Sequence, residues 1–173
     1  MYKIGEYIIY GMNGVCRVEE IGPMVMNGTE SEKEYYTLMP LYTKGSKVFT
    51  PVDNQKVVMR PIMTKTEASE LIDEMRDVEP IEVVDDKRRE LAYKEALKTC
   101  DCHEWIRIIY TARKRKEERQ AEGKKMSACD EKYLRQAQES LYGELACSLN
   151  IDKNQVENYI EEHIVDKDMA SAS

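Results

Sequence analysis

Nowhere in the sequence do apolar residues run on for the roughly 20 consecutive positions that a membrane helix needs. The opening Met1-Tyr2-Lys3-Ile4-Gly5 also lacks the apolar core of a secretory signal, so a cytoplasmic protein is expected. The five cysteines, Cys16, Cys100, Cys102, Cys129 and Cys147, are odd in number and irregularly placed. They do not resemble a disulfide framework and suit a reducing compartment. Histidine is scarcer still, with only His103 and His163, far apart. There is no Gly-rich phosphate loop, no nucleophile elbow and no zinc-protease helix. No catalytic toolkit is legible, and no enzyme activity, cofactor, membrane association or small-molecule substrate is expected. Wholesale disorder is excluded too, because 42% of the 173 residues are apolar, enough for one ordinary domain or two small ones.

The formal net charge of −7 argues against a globally basic nucleic-acid coat, but its distribution is lopsided. Residues 1–64 balance seven Lys/Arg against seven Asp/Glu, residues 65–86 hold two against nine, and residues 87–135 hold fifteen against nine. A locally basic body therefore sits between acidic neighbours.

The first part of the chain reads as β. Tyr7-Ile8-Ile9-Tyr10, Val15-Cys16-Arg17-Val18, Tyr35-Tyr36-Thr37-Leu38, Val48-Phe49-Thr50 and Val57-Val58-Met59-Arg60 are short strand-like runs bounded by Gly, Asn, Pro or Ser. Met12-Asn13-Gly14, Asn27-Gly28 and Lys44-Gly45-Ser46 supply the reversals. Five such strands close most economically as an antiparallel SH3-like or Tudor-like barrel over residues 1–63. Thr64 with Glu67 then opens a short acidic helix as a capping box, Pro80 interrupts it, and residues 64–86 read as an acidic helix and linker. Residues 87–166 read as a bundle of four amphipathic helices. Their stripes are Tyr93, Ala96, Leu97, Cys100; then Cys102, Trp105, Ile106, Ile109, capped by Asp101; then Leu134, Ala137, Leu141, Leu145; then Val156, Tyr159, Ile160, opened by Asp152 and Gln155. Residues 167–173 read as a disordered tail. The fold class is thus α+β, a five-stranded barrel followed by an all-helical bundle.

Two basic clusters stand out. Arg113-Lys114-Arg115-Lys116, with Arg119, Lys124 and Lys125, ends one helix and crosses into the next turn. Cations there are favoured by the helix dipole whatever their function. Lys87-Arg88-Arg89 adds a second cluster on the same small bundle, and two clusters can straddle phosphates, giving backbone contact with little base readout. Trp105, the single tryptophan, shares its stripe with Cys102, Ile106 and Ile109 and reads as core. Cys100-Asp101-Cys102-His103 is the one cluster of potential metal ligands, but it lacks a fourth ligand and serves equally as a helix end, a cap and a buried stripe, so no metal is expected. On the barrel, Met24, Met26 and Phe49 either fill the core or, if they share an outward face, form an adaptable apolar patch that marks a partner site.

In order and spacing these residues resemble the CarD or CdnL family of bacterial RNA-polymerase-binding regulators. Ile4-Gly5-Glu6-Tyr7-Ile8-Ile9-Tyr10 followed by Asn13-Gly14-Val15 is similar to the family's opening. Tyr35-Tyr36 with Leu38, Val48 before Thr50-Pro51, and Met59-Arg60 resemble its later barrel signatures. Arg88-Arg89, Leu97, Asp101 and Leu141-Tyr142-Gly143-Glu144-Leu145-Ala146 resemble its helical half. The resemblance implies that the barrel, shared with transcription-repair coupling factors, binds the RNA polymerase β subunit. It implies that the bundle touches promoter DNA at the upstream edge of the bubble and alters the lifetime of the open complex. Met24, Met26, Lys47 and Phe49 are then the expected polymerase contacts, with Met24 and Phe49 standing where well-known members carry arginines. Lys87, Arg88, Arg89, Arg113, Lys114, Arg115, Lys116, Arg119, Lys124 and Lys125 are the expected DNA contacts. Some members place a minor-groove wedge tryptophan two residues before the Arg-Arg pair; this chain has Asp86. A rival reading is a polymerase-bound adaptor whose bundle makes protein contacts only.

Overall fold

The alternation of apolar and polar residues in the first part of the chain becomes a five-stranded antiparallel sheet in the computed structural model, which describes residues 1–82 and 85–172, with side chains to residue 166. The strands are β1 (Tyr7–Tyr10), β2 (Val15–Met26), β3 (Thr29–Pro40), β4 (Val48–Pro51) and β5 (Met59–Pro61), in the spatial order β4-β3-β2-β1-β5. Ile8, Tyr10, Cys16, Val18, Tyr36 and Leu38 form the inner cluster, with Tyr2, Ile21, Val48, Val52, Val57 and Met59 packed against it.

Two local features differ from the sequence expectation. The Met12-Asn13-Gly14 reversal is a 3-10 turn over Gly11–Asn13, in which Tyr10 N–H donates to Gly14 O at 3.0 Å. Gly11 is required there, since its φ is +46° and an added Cβ would lie 2.6 Å from Val57 Cγ1. The β2–β3 hairpin is also much longer than the apolar runs alone suggest. Asn27 and Gly28 both have positive φ, 52° and 79°, the requirement of a two-residue primed turn. That turn extends the ladder to Met26↔Thr29, so the polar run Thr29-Glu30-Ser31-Glu32-Lys33-Glu34 is strand and not loop.

The helical part comprises α1 (Lys65–Glu74), α2 (Asp86–Lys98), α3 (Cys102–Ala121), α4 (Ala128–Leu149) and α5 (Val156–Ala172). Each expected cap is formed. Thr64 Oγ1 accepts from Glu67 N–H while Glu67 returns a bond to Thr64 N–H, Asp101 accepts from His103 N–H, and Asp152 with Gln155 makes a second reciprocal box. Ser127 caps α4, and Asn150 closes it in the left-handed conformation that ends many helices. The core holds Trp105, Tyr93, Ile108, Leu141 and Leu145, all almost fully buried.

The chain divides into Met1–Ile62 and Met63–Ser173. The acidic segment read as a connection is therefore in large part structural, because α1 packs on α4 and α5 inside the second unit through Ala68, Leu71 and Ile72. Of the expected linker, residues 83 and 84 lie outside the described residues. The segment 167–173, assigned from sequence to a tail, continues α5 as far as Ala172; Ser173 lies outside the described residues. No helix among the described residues is long and apolar enough to cross a membrane.

The capping box gives a direct check on the helical unit. Thr64→Ala removes one of its two bonds and should lower the unfolding free energy by about 1 kcal/mol in chemical denaturation. An unchanged midpoint would mean that the box adds nothing to α1.

Candidate functional site

On the first unit, strand alternation sorts side chains into an inner and an outer face. Arg17 pairs with Met39, and Glu20, Thr37 and Phe49 lie in one cross-strand row, all on the face opposite Tyr36 and Leu38. Phe49 is 46% exposed and Met39, diagonal to it across the ladder, is 36% exposed. The register carried one step past Leu38↔Val48 sets the exposed Lys47 opposite Met39. Met24 and Met26 lie four and six residues along β2 from Glu20 of the Phe49 row, roughly 13 and 20 Å at ~3.3 Å per residue, with a register irregularity between Pro23 and Val25. Met24 is half-buried and Met26 exposed, at the hairpin tip. The expected single patch is therefore two patches. Met39 was missed, although its period of two from Tyr35 and Thr37 signals the outer face.

The second unit is organised by a buried acid that the sequence did not reveal. The Asp130 carboxylate, fully buried, accepts four hydrogen bonds. Oδ1 takes Arg89 Nε at 3.1 Å and the Tyr93 hydroxyl at 2.8 Å, while Oδ2 takes Arg115 Nε at 3.1 Å and Ser127 Oγ at 2.7 Å. Burial alone would favour the protonated acid, but the bonds from Ser127, Tyr93 and Arg115 and the Arg89 charge hold its pKa below the usual value. Burial and the bond to Asp130 push the Tyr93 phenol up. Burial also opposes the Arg89 charge, and Asp130 and Asp86 more than offset it.

This network corrects the DNA-contact expectation at Arg89. Its side chain is only 4% exposed, and Nη1 binds Asp86 at 2.9 Å, so it is not offered to a phosphate. Asp86 thus clamps Arg89. Arg115 is half-buried against Asp130, Arg113 bonds Glu157 at 2.6 Å and the Tyr142 hydroxyl at 3.2 Å, and Arg119 Nε donates to Lys125 O at 2.7 Å. Consecutive helical residues turn by about 100° each, so the run Arg113 to Lys116 fans around α3 instead of forming one patch. Lys87, Arg88, Lys114, Lys116, Lys124 and Lys125 are exposed; Arg88 lies 3.4 Å from Asp85 and Lys124 3.3 Å from Glu122. Lys94 and Lys98, seven and eleven residues after Lys87, are also exposed on α2.

The Cys100-Asp101-Cys102-His103 cluster is dispersed. Cys102 Sγ donates to the buried Glu144 carboxylate at 3.3 Å, Asp101 caps α3, and His103 bridges Glu74 at 2.7 Å and Asp101 at 3.2 Å. Among the described residues no three His, Cys, Asp or Glu side chains are grouped to hold a metal. Trp105 is buried, its Nε1 donating to Leu97 O. An apolar groove of about 550 Å³, lined by Ile106, Ile109, Leu141, Ile160 and Ile164, runs beside the Arg113–Glu157 pair.

Two family models match the chain. Residues 2–63 match the model described as CarD-like/TRCF RID domain, and residues 70–161 match that of the CarD C-terminal domain. The boundary between the two matches falls at the division between the structural units.

Removing the buried acid leaves Arg89 charged without its main partner, so Asp130→Ala should destabilise the second unit by about 3–5 kcal/mol in denaturant titration. Because the folded-state pKa is lowered, the stability contributed by Asp130 is complete above its unfolded value of about 4 and is lost as pH falls through the lower folded value. The variant should therefore show a shallower acid-side loss of stability than the parent; equal slopes would contradict the assignment.

Proposed function

The chain belongs to the CarD family of RNA-polymerase-binding transcription regulators, and on that premise we propose that it acts on initiation by gripping the polymerase β subunit through the Phe49 face of its sheet while cations of its helical unit touch promoter DNA at the upstream edge of the bubble. The observation that carries the reading is the exposed Phe49–Met39 pair on the outer face of the polymerase-interacting domain. An apolar pair on a small sheet, with Arg17 and Lys47 beside it, has the makeup of a partner site. Such a contact depends little on ion pairing, so binding should weaken only modestly with salt. Met26, exposed at the hairpin tip, is a second apolar contact point in this reading.

DNA contact in this reading is to the phosphate backbone and weak by itself. The tether to polymerase supplies a high effective concentration, and the polymerase supplies promoter selection. The altered step is the lifetime of the open complex, with no covalent chemistry contributed by this chain. The Arg89–Asp86 clamp favours one alternative, an adaptor without functional DNA contact, since it occupies the wedge position with an acid. Footprinting of a polymerase–promoter complex with and without the protein separates the two: new protection upstream of the bubble supports DNA contact, and an unchanged pattern supports the adaptor.

The polymerase face is tested by Phe49→Asp and Met39→Asp in co-migration with purified polymerase at micromolar concentration. Both should abolish co-migration while leaving the circular dichroism spectrum unchanged. Retained binding would move the polymerase site elsewhere on the chain.

A further inference from the structure

The groove beside the Arg113–Glu157 pair is bounded by two helices that are fastened together at its ends and stay apart between them. Along α3 its lining residues Ile106, Ile109, Tyr110, Arg113, Lys114 and Glu117 form one stripe at helical spacing, roughly 16 Å long at 1.5 Å per residue. Facing them, α5 contributes Glu157, Ile160, Glu161 and Ile164, and the buried Leu141 of α4 lines the space as well. At one end Arg113 donates to Glu157 at 2.6 Å. At the other, His163 Nε2 lies 3.0 Å from Asp73 Oδ1, and the Ile164 carbonyl accepts from Arg76 at 2.6 Å. Between these fastenings about 550 Å³ is left, with Tyr110 on the rim, 42% exposed. An apolar groove already shaped in the free protein is a ready seat for an apolar ridge.

Charge selects the occupant. From residue 156 to residue 166, α5 carries four acids, Glu157, Glu161, Glu162 and Asp166, and no Lys or Arg. Over Lys65–Glu74, α1 carries four acids against Lys65 alone. Within the groove the Arg113 charge is taken by Glu157. Glu117 on the α3 wall and Glu161 on the α5 wall have no ion pair with any described residue, and they outnumber Lys114, the one lining cation in the same condition. Such a rim repels nucleic acid and acidic peptides and attracts cations. We propose that the groove between α3 and α5 docks an amphipathic helix of a protein partner, its apolar ridge seated on Ile109, Leu141 and Ile160 and its flanking Lys or Arg side chains on Glu117 and Glu161. Helix-in-groove recognition reads anchors at i, i+3, i+4 and i+7 of the incoming helix, and the α3 wall extends far enough to meet about three turns of it. A small amphiphile would fill the space but leave the acids of the two walls unmatched. The site lies wholly in the helical unit and uses none of the residues of the Phe49 face.

The test is fluorescence anisotropy of the full-length chain with a labelled synthetic peptide of leucine and lysine that forms an amphipathic helix. One control peptide has the same composition with its leucines spread around the helix, and a second has glutamate in place of lysine. The parent should bind the amphipathic basic peptide about tenfold more tightly than either control. Tyr110→Ser should weaken that binding about fivefold at every salt concentration, the signature of a lost apolar contact. Glu117→Gln with Glu161→Gln should weaken it at low salt and flatten its salt dependence. Both variants should keep the parent's circular dichroism spectrum, because all three side chains are exposed. Equal binding of the three peptides by the parent, or parent-level binding of the basic peptide by either variant, overturns the proposal. Saturable binding of decanoate by a parent that does not take the peptide makes the groove a small-molecule pocket and overturns it too.

Discussion

The Asp130 carboxylate fixes what the helical unit can show to a partner. A fully buried acid is tolerated only when its charge is matched and its lone pairs are filled, and here two helices and the cap of a third contribute the donors. Arg89 and Tyr93, four residues apart, both reach it from one side of α2. Once that side is committed inward, helical geometry leaves the rotation of α2 no freedom. Lys87, Leu91, Lys94 and Lys98 must then face outward. The internal network and the external basic face are therefore one design, and a rotation of α2 that exposed Arg89 would also strand Asp130.

How much of this was legible follows from the range of the interactions. The caps at Thr64, Asp101 and Asp152 were readable because donor and acceptor lie within three residues. The strand runs and the Asn27-Gly28 turn were readable for the same reason, since a primed turn needs positive φ at both positions. The length of β3 was not, because Thr29 to Glu34 carries no apolar alternation; the turn and the pairing with β2 make it strand. Asp130 was invisible for a different reason. Arg89 lies 41 residues away in sequence, and a single Asp in a polar run looks like any solvated charge. Reading Arg88-Arg89 as a pair missed that adjacent helical residues point about 100° apart, so one was buried and the other exposed. The same neglect of direction merged Met24 with Phe49 and overlooked Met39.

The sheet shows a related economy. Its inner face is filled by Ile8, Tyr10, Cys16, Val18, Tyr36 and Leu38, and the register sets Phe49 and Met39 on the opposite face. Alternation then puts them on the surface whatever their hydrophobicity. An exposed aromatic flanked by methionine loses little by staying adaptable and gains when a partner covers it. A charged contact would lose part of its gain to desolvation of the cation; an apolar face avoids that cost but gives up long-range steering. In the proposed function such a face gives slower and less salt-dependent capture of its partner.

In the proposed function an apolar hold and a dispersed basic surface assign different physical tasks to the two units. The helical unit carries fifteen cations against nine acids over residues 87–135, yet Arg89, Arg113 and Arg115 are tied to Asp130, Glu157 and Asp130 again. What is left for phosphate is modest, and the chain as a whole is acidic at −7, which opposes binding to DNA at a distance. In the proposed function the basic face therefore acts where the partner bound by the sheet has already brought duplex within reach, and the acidity that weakens free binding confines the contact to the assembled complex.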